Sequence, residues 1–206
     1  MTLTYKTDDS FFTLVLPPFT YYGFIVKQWL MQTTHSRFRY IRDIELEREF
    51  YNLEMIDAVY PEIKTIGITF NPWARMLHGY NTLCNMKATN DNSYMDLNIF
   101  ELDSFDKFIH SLPSMQSVEP YKFTLATPMS RWYSYQNNSE VRTVDYLLKA
   151  EALTEDFKIL QEYFCCSEPL AIIDPLLEYK KTYNKKTQAI VAEVFKEDIE
   201  QFGYKF

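Results

Sequence analysis

Two short, continuously apolar runs constrain this chain more than any other feature of its sequence: FFTLVL over residues 11–16 and TIGITF over residues 65–70. Apolar runs of this length without alternating polar residues are typical of strands covered on both faces, as in parallel sheets. The second run leads into Asn71, a favoured N-cap, and Pro72, which suits the first position of a helix. A helical pattern follows the first run as well. Strand, turn and helix repeated in this order predict an α/β fold with an open, mainly parallel sheet.

Helical periodicity continues in the second half of the chain, where apolar residues recur at intervals of three and four. Capping residues and glycine predict where these helices begin and end. We expect N-caps at Ser104, Thr154 and Thr187, a helix stop at Gly203, and a surface loop over residues 87–93. The other predicted elements are helices over residues 23–31, 73–83, 105–112, 155–164 and 188–202, and strands near residues 121–127 and 142–148.

The charge and length of the chain limit its class. A net charge of −7 and a pI near 5.1 argue against nucleic-acid binding, because that affinity comes from Lys and Arg that neutralise phosphates. No run approaches the length of a membrane span, and the first residues lack the pattern of a signal peptide. With 206 residues and three cysteines, two of them adjacent, we expect a single cytoplasmic domain over residues 1–206, without a disulfide framework or a membrane partner.

Several enzyme classes are excluded by what the sequence lacks. With only four glycines, neither a glycine-rich dinucleotide loop nor a complete phosphate loop ending in Gly-Lys-Ser/Thr can be written. The three histidines have no cysteine, histidine or aspartate at metal-ligand spacing, so we expect no metal. A Ser-His-Asp or Cys-His triad matches no motif either.

Three segments in order resemble the sulfotransferase superfamily, particularly its carbohydrate-type branch: TFNPWARMLHGY (69–80), VDYLLKAEALTEDFKIL (144–160) and IVAEVFKEDIEQFGYKF (190–206). In the first segment, Asn71, Pro72, Trp73, Arg75 and Tyr80 match the family's strand-to-helix segment that holds the 3′-phosphate of the sulfate donor. The order of the segments extends this resemblance over essentially the whole chain.

The resemblance implies a fold and a reaction. The fold would be an α/β, three-layer fold like that of the phosphate-loop NTPases, with a central, mainly parallel sheet flanked by helices. The donor would be 3′-phosphoadenosine 5′-phosphosulfate (PAPS), the product 3′,5′-adenosine bisphosphate (PAP), and the acceptor a small molecule or a carbohydrate with a free hydroxyl group. No metal is implied.

The resemblance also assigns roles to individual residues. A histidine after the first helix of carbohydrate-type relatives acts on the acceptor, which makes His35 the candidate catalytic residue. The candidate donor-binding residues are Pro18, Thr20, Tyr22 and Gly23 in the first loop, and Asn71, Arg75 and His78 in the second. Backbone N–H groups at the starts of the two helices would complete an anion site.

At three positions the chain departs from the family pattern: Pro18 replaces a lysine, Phe70 an arginine and His78 a serine. Arg75, Lys27 and the arginines at 37, 39 and 42 are cations that compensate if they reach the site; alternatively, Arg75 pairs with a carboxylate such as Glu151. Two functions therefore follow from the sequence. The chain is a sulfotransferase, or it is a binding or assembly protein that kept the fold and lost the donor site.

Overall fold

The computed structural model describes residues 3–6, 11–15, 17, 39–40, 53–59, 61–89, 101–116, 125–163, 170 and 178–206. Contacts along the chain group it into two compact units. The first comprises Met1–Phe70 and Met129–Ile173, and the second comprises Asn71–Pro128 and Asp174–Phe206. The single domain expected from the sequence stays a prediction.

The first unit contains the strands. Its elements are β1 (Leu3–Lys6), β2 (Phe11–Val15), β3 (Arg39–Tyr40), α1 (Leu53–Val59), β4 (Lys64–Thr69), α4 (Ser130–Tyr133), β5 (Ser134–Asn137), β6 (Glu140–Thr143), β7 (Tyr146–Lys149) and α5 (Leu153–Tyr163). Five strands form one sheet in the order β3-β1-β2-β4-β7, and β5 pairs with β6. A 3₁₀ turn over Ala150–Ala152 joins β7 to α5, which packs against β7.

The two apolar runs form neighbouring parallel strands, as predicted. Strand β2 pairs with β4 from Phe12–Lys64 to Val15–Gly67, and β4 pairs in parallel with β7. Leu14, Ile66 and Ile68 are at most 1% exposed, so the β2 and β4 side chains that face the core are sealed from water. Strands β1 and β3 add antiparallel pairs, which the sequence did not predict.

Tyr133, which lies outside the five-stranded sheet, forms hydrogen bonds with the backbone of strand β4. The Tyr133 hydroxyl donates to the Ile68 carbonyl oxygen at 2.7 Å and accepts from the Ile68 N–H at 3.2 Å. Its ring lies so close to Gly67 that an added Cβ would come within 2.8 Å of it. Glycine is therefore needed at this position because of close packing.

The second unit is helical among its described residues. Its helices are α2 (Pro72–Thr89), α3 (Phe105–Gln116), α6 (Tyr179–Thr182), α7 (Lys185–Val194) and α8 (Lys196–Phe202). The predicted apolar stripe of α3 is confirmed at Phe108, Ile109 and Leu112, which are 0% exposed, and α3 packs against α7. Helix α2 extends to Thr89, so the loop predicted to begin at residue 87 is wrong over its first three residues.

The predicted helix ends are right at Ser104 and Gly203 and wrong at two other positions. Ser104 Oγ accepts from the Lys107 N–H, and Gly203 ends α8 in the left-handed conformation at φ 71°. Helix α5 begins at Leu153, so Thr154 lies inside it rather than capping it. The cap of α7 is Asn184 instead of Thr187.

The remaining predicted elements have different outcomes. Of the strand predicted near residues 121–127, residues 125–127 form a bend, and residues 121–124 lie outside the described residues. Residues 142–148 are divided between β6 and β7. The helix predicted over residues 188–202 is interrupted at Phe195, between α7 and α8. The helix predicted over residues 23–31 lies outside the described residues.

The described chain is thus a mixed α/β protein in which β2, β4 and β7 form the small parallel part of a five-stranded sheet, accompanied by helices. None of the described helices has both the length and the apolar character needed to cross a bilayer.

Candidate functional site

The start of helix α2 is the described part of the predicted donor site. Asn71 is the N-cap, as the sequence predicted: its Oδ1 accepts from the N–H groups of Trp73 at 3.1 Å and Ala74 at 3.3 Å. Pro72 has no N–H, and the Arg75 N–H donates to the Asn71 carbonyl. The expectation that these N–H groups are unpaired and face an anion is therefore wrong at this helix, because the cap accepts from them itself.

The residues at the same helix start are almost completely buried. Asn71 is 6% exposed, Trp73 and Ala74 are 4% exposed, and Arg75 and Met76 are 0% exposed. Strong anion sites at helix starts require room for the ligand beside the N–H groups. The first turn of α2 offers no such room among its own residues.

Residues from the end of the chain lie against this helix start. The Asn71 Nδ2 donates to the Lys205 carbonyl at 3.1 Å, and the ring of Phe206 contacts Trp73 edge-on at 5.5 Å between centroids. Trp73 Nε1 donates to the Gln188 carbonyl at 3.0 Å. Trp73 is thus held from two directions, so it is a packing residue of this unit.

Tyr183 fixes the backbone of the same turn. Its hydroxyl donates to the Trp73 carbonyl at 2.8 Å, and its ring contacts Phe105 and Phe206. Burial raises the pKa of Tyr183 strongly, with a smaller contribution from Tyr179. The hydroxyl therefore stays protonated at neutral pH and acts as a hydrogen-bond donor.

Arg75, the predicted phosphate ligand, points into the protein. Its Nη1 donates to the Thr127 carbonyl at 3.1 Å, and its guanidinium carbon lies 5.7 Å from the centroid of the Phe195 ring. A cation that is 0% exposed does not reach a ligand in solution without repacking of its surroundings. Glu151, its alternative partner, is exposed and belongs to the first unit, so that pairing stays a prediction.

His78 is partly buried on α2, and desolvation lowers its pKa below the usual value. The ring is accordingly neutral at pH 7. His78 is a candidate donor-binding residue, but a neutral imidazole supplies no positive charge to a phosphate.

Most of the other predicted site residues lie outside the described residues: Pro18, Thr20, Tyr22, Gly23 and His35, together with Lys27, Arg37 and Arg42. Their roles stay predictions. Pro17, which precedes them, is buried. Phe70 is 1% exposed and is therefore a core side chain.

A polar network in the first unit escaped the sequence analysis. Asp57 Oδ2 accepts from Arg142 Nε at 3.1 Å and from the Tyr135 hydroxyl at 3.0 Å. Asp145 Oδ2 accepts from the Thr65 N–H at 2.8 Å, and its Oδ1 lies 3.2 Å from Lys64 Nζ. Positions so far apart in the chain give no spacing signal.

The charges in this network suit a structural role. Burial alone would raise the pKa of Asp145, but hydrogen bonds from Thr65 and Lys64 and the charge of Arg142 outweigh it and lower that pKa. Lys64 begins β4, and Asp145 immediately precedes β7. The network therefore lies at the amino ends of parallel strands, whereas ligands of such sheets bind beyond the carboxyl ends.

Two further features bear on ligand chemistry. In the described ranges, no group of three or more His, Cys, Asp and Glu side chains is arranged to hold a metal ion. A cavity of about 330 Å³ is lined mostly by α3: Glu101, Asp106, Lys107, His110, Ser111 and Ser114. Its mixed charges favour neither an anion nor a cation.

Comparison with protein-family models, curated proteins and solved structures found no match to this chain.

Proposed function

We propose that this chain is a binding or assembly protein with a sulfotransferase-like scaffold, and that it does not bind the sulfate donor. The observation that carries the proposal is the closed start of α2. Where a 3′-phosphate would need N–H donors and a cation, Asn71 Oδ1 accepts from the N–H groups and Arg75 is 0% exposed.

The substitutions in the sequence support the same conclusion. Phe70, in the place of an arginine, is a core residue, and His78 is partly buried with a lowered pKa. A hydrogen bond to a charged group contributes about 1.5–3 kcal/mol. Losing the two charged contacts at Pro18 and Phe70 therefore costs about a hundred- to ten-thousand-fold in affinity for the donor.

A sulfotransferase is the second candidate, and one observation favours it. Strands β2, β4 and β7 run parallel, so the carboxyl ends of β2 and β4 share one edge of the sheet, as two phosphate-binding loops require. In this alternative, PAPS binds through residues 18–23, His35 acts on a small-molecule or carbohydrate acceptor, and the protein works in the cytoplasm. These roles remain proposals.

Calorimetric titration with 3′,5′-adenosine bisphosphate separates the two candidates. If the protein is a binding or assembly protein, ligand at about 1 mM gives no saturable heat. Saturable binding would contradict the proposal and favour the transferase. A thermal melt of the same sample checks that the protein used in the titration is folded.

The variant Phe206→Ala provides a matched second titration. It removes the ring that contacts Trp73 without changing any predicted phosphate contact. Because we attribute the loss of donor binding to missing charged contacts, we expect that this variant also gives no saturable heat. If the variant gained nucleotide binding, a functional donor site would lie beneath Phe206 and the proposal would be wrong.

A further inference from the structure

Four lysines border the junction between α6 and α7: Lys180, Lys181, Lys185 and Lys186, within the sequence YKKTYNKKT (179–187). We call them the lysine cluster. All four are exposed. They lie on a chain whose net charge is −7, so the cluster is a positively charged patch on a protein that is negatively charged overall.

Several lysines elsewhere in the described chain pair with carboxylates. Lys107 pairs with Asp103 at 2.7 Å, Lys158 with Glu155 at 2.6 Å, and Lys64 with Asp145 at 3.2 Å. In the cluster, Lys181 pairs with Glu178 at 2.6 Å. Among the residues that the structure describes, Lys185 and Lys186 form no ion pair, and Lys180 instead lies over the rings of Tyr179 and Phe206.

The unpaired lysines also occupy an electrostatically unfavourable position. Lys185 and Lys186 are the first residues of α7, whose first turn contains no acidic residue. The start of a helix carries partial positive charge, so cations there reduce helix stability and acidic residues increase it. The sequence thus keeps cations where folding alone favours anions, and a bound anionic group would relieve this repulsion.

The neighbouring carboxylates that the structure describes pair with groups other than Lys185 and Lys186. Glu178 pairs with Lys181, and Asp106 accepts from Asn184 Nδ2 at 2.9 Å while also lying 3.3 Å from His110. Asn184 Oδ1 accepts from the Lys186 and Thr187 N–H groups. The cluster therefore presents side-chain ammonium groups rather than free backbone donors.

We infer that the lysine cluster docks a short acidic peptide segment of a partner protein through its exposed ammonium groups. This inference rests on the proposed binding role, because it names the chemistry of the partner. Carboxylates are the groups with which two other exposed lysines of this chain, Lys107 and Lys158, pair. A short segment occupies the cluster alone and avoids the acidic remainder of the surface.

The alternative anionic partners fit less well. Nucleic acid extends its phosphates well beyond four lysines and meets the repulsion of the acidic surface. A membrane surface calls for apolar residues that insert beside the basic ones, and the exposed large apolar residues of the described chain, Val141, Leu147 and Ile159, all belong to the first unit.

The test uses a fluorescently labelled peptide of alternating glutamate and serine, titrated into the full chain at low ionic strength. We expect weak saturable binding that is lost as the salt concentration rises. Zero-length carbodiimide coupling followed by mass spectrometry should place the cross-links on cluster lysines. The double variant Lys185→Gln/Lys186→Gln should bind about 2- to 30-fold more weakly, since an exposed ion pair contributes little.

Controls of matched charge decide the result. Lys107→Gln/Lys158→Gln removes the same charge elsewhere and should leave peptide affinity unchanged. Any of three results would overturn the inference. The first is equal weakening in both double variants, and the second is equal binding of a glutamine-serine peptide. The third is tighter binding of single-stranded oligo(dT) or of vesicles containing phosphatidylserine. The nucleotide titration uses another ligand, so its failure is distinguishable from failure of the peptide test.

Discussion

Helices α2 and α7 both have asparagine as the N-cap, but their first turns lie in opposite surroundings. Asn71 caps α2 and Asn184 caps α7, each with Oδ1 accepting from two backbone N–H groups. The start of α2 is buried beneath Trp73 and Phe206. The start of α7 is exposed and carries two lysines that form no ion pair with any residue the structure describes.

The two helices show that a helix start is not a binding site by itself. Both caps satisfy the N–H groups that an anion would otherwise bind. What distinguishes the two starts is the environment supplied by other segments: aromatic packing at α2 and uncompensated charge at α7. The first arrangement supports stability, and the second is suited to a charged partner.

The largest expected effect is at the buried helix start. Trp73→Ala removes a side chain that is 4% exposed, together with its hydrogen bond to Gln188. We expect the free energy of unfolding to fall by about 3–5 kcal/mol, measured by urea denaturation. A loss below about 1 kcal/mol would contradict the packing role of Trp73.

The two caps themselves should differ. Asn71→Ala loses the cap and the bond from Nδ2 to the Lys205 carbonyl in a buried setting, so we expect a loss of about 2 kcal/mol. Asn184→Ala at the exposed start should lose about 1 kcal/mol. Equal urea midpoints for the two variants would show that burial does not distinguish the caps.

A charge reversal at the exposed start should stabilise the protein. Lys186→Glu places an acidic residue in the first turn of α7, where the helix favours it, so we expect a gain of about 0.3–1 kcal/mol at low ionic strength. The same variant should weaken peptide binding. A loss of stability in thermal melts would show that Lys186 is retained for folding rather than for binding.

The smallest effect that we expect is a dependence of the protein's stability on pH, caused by the titration of His78 in α2. Burial lowers the pKa of His78 in the folded state, so the unfolded state binds more protons below the ordinary value of 6.5. Stability due to the neutral ring is complete above that value and is lost as the pH falls through the folded pKa. Urea midpoints at about pH 7.5 and pH 5.5 should therefore fall less in His78→Gln than in the parent protein.

Local patterns predicted the elements that local physics decides. The apolar runs became β2 and β4, and Asn71-Pro72 started α2, because strand burial and capping depend on a few adjacent residues. Gly203 stopped α8 for the same reason, since it adopts a positive φ without steric cost. The cap of α7 was misplaced by three residues, because Asn184 and Thr187 are both good caps and here form a capping box together.

The candidate site was less predictable than the elements. The sequence predicted Arg75 as a phosphate ligand, but the direction of its side chain depends on Thr127 and Phe195, which are distant in the chain. The network of Asp57, Arg142 and Asp145 gave no signal for the same reason. The lysine cluster was visible in the sequence as four lysines within nine residues, but the lack of carboxylate partners for Lys185 and Lys186 was not.

Apolar periodicity, prolines and caps act over a few residues, so the sequence alone predicted β2, β4, helices α2, α3 and α5, and the residue at which α2 begins. Only the tertiary structure decided whether a helix start is buried or exposed and which charges have partners. Burial and ion pairing depend on groups that folding brings together from distant positions, and the free energy of an ionised group depends on those neighbours.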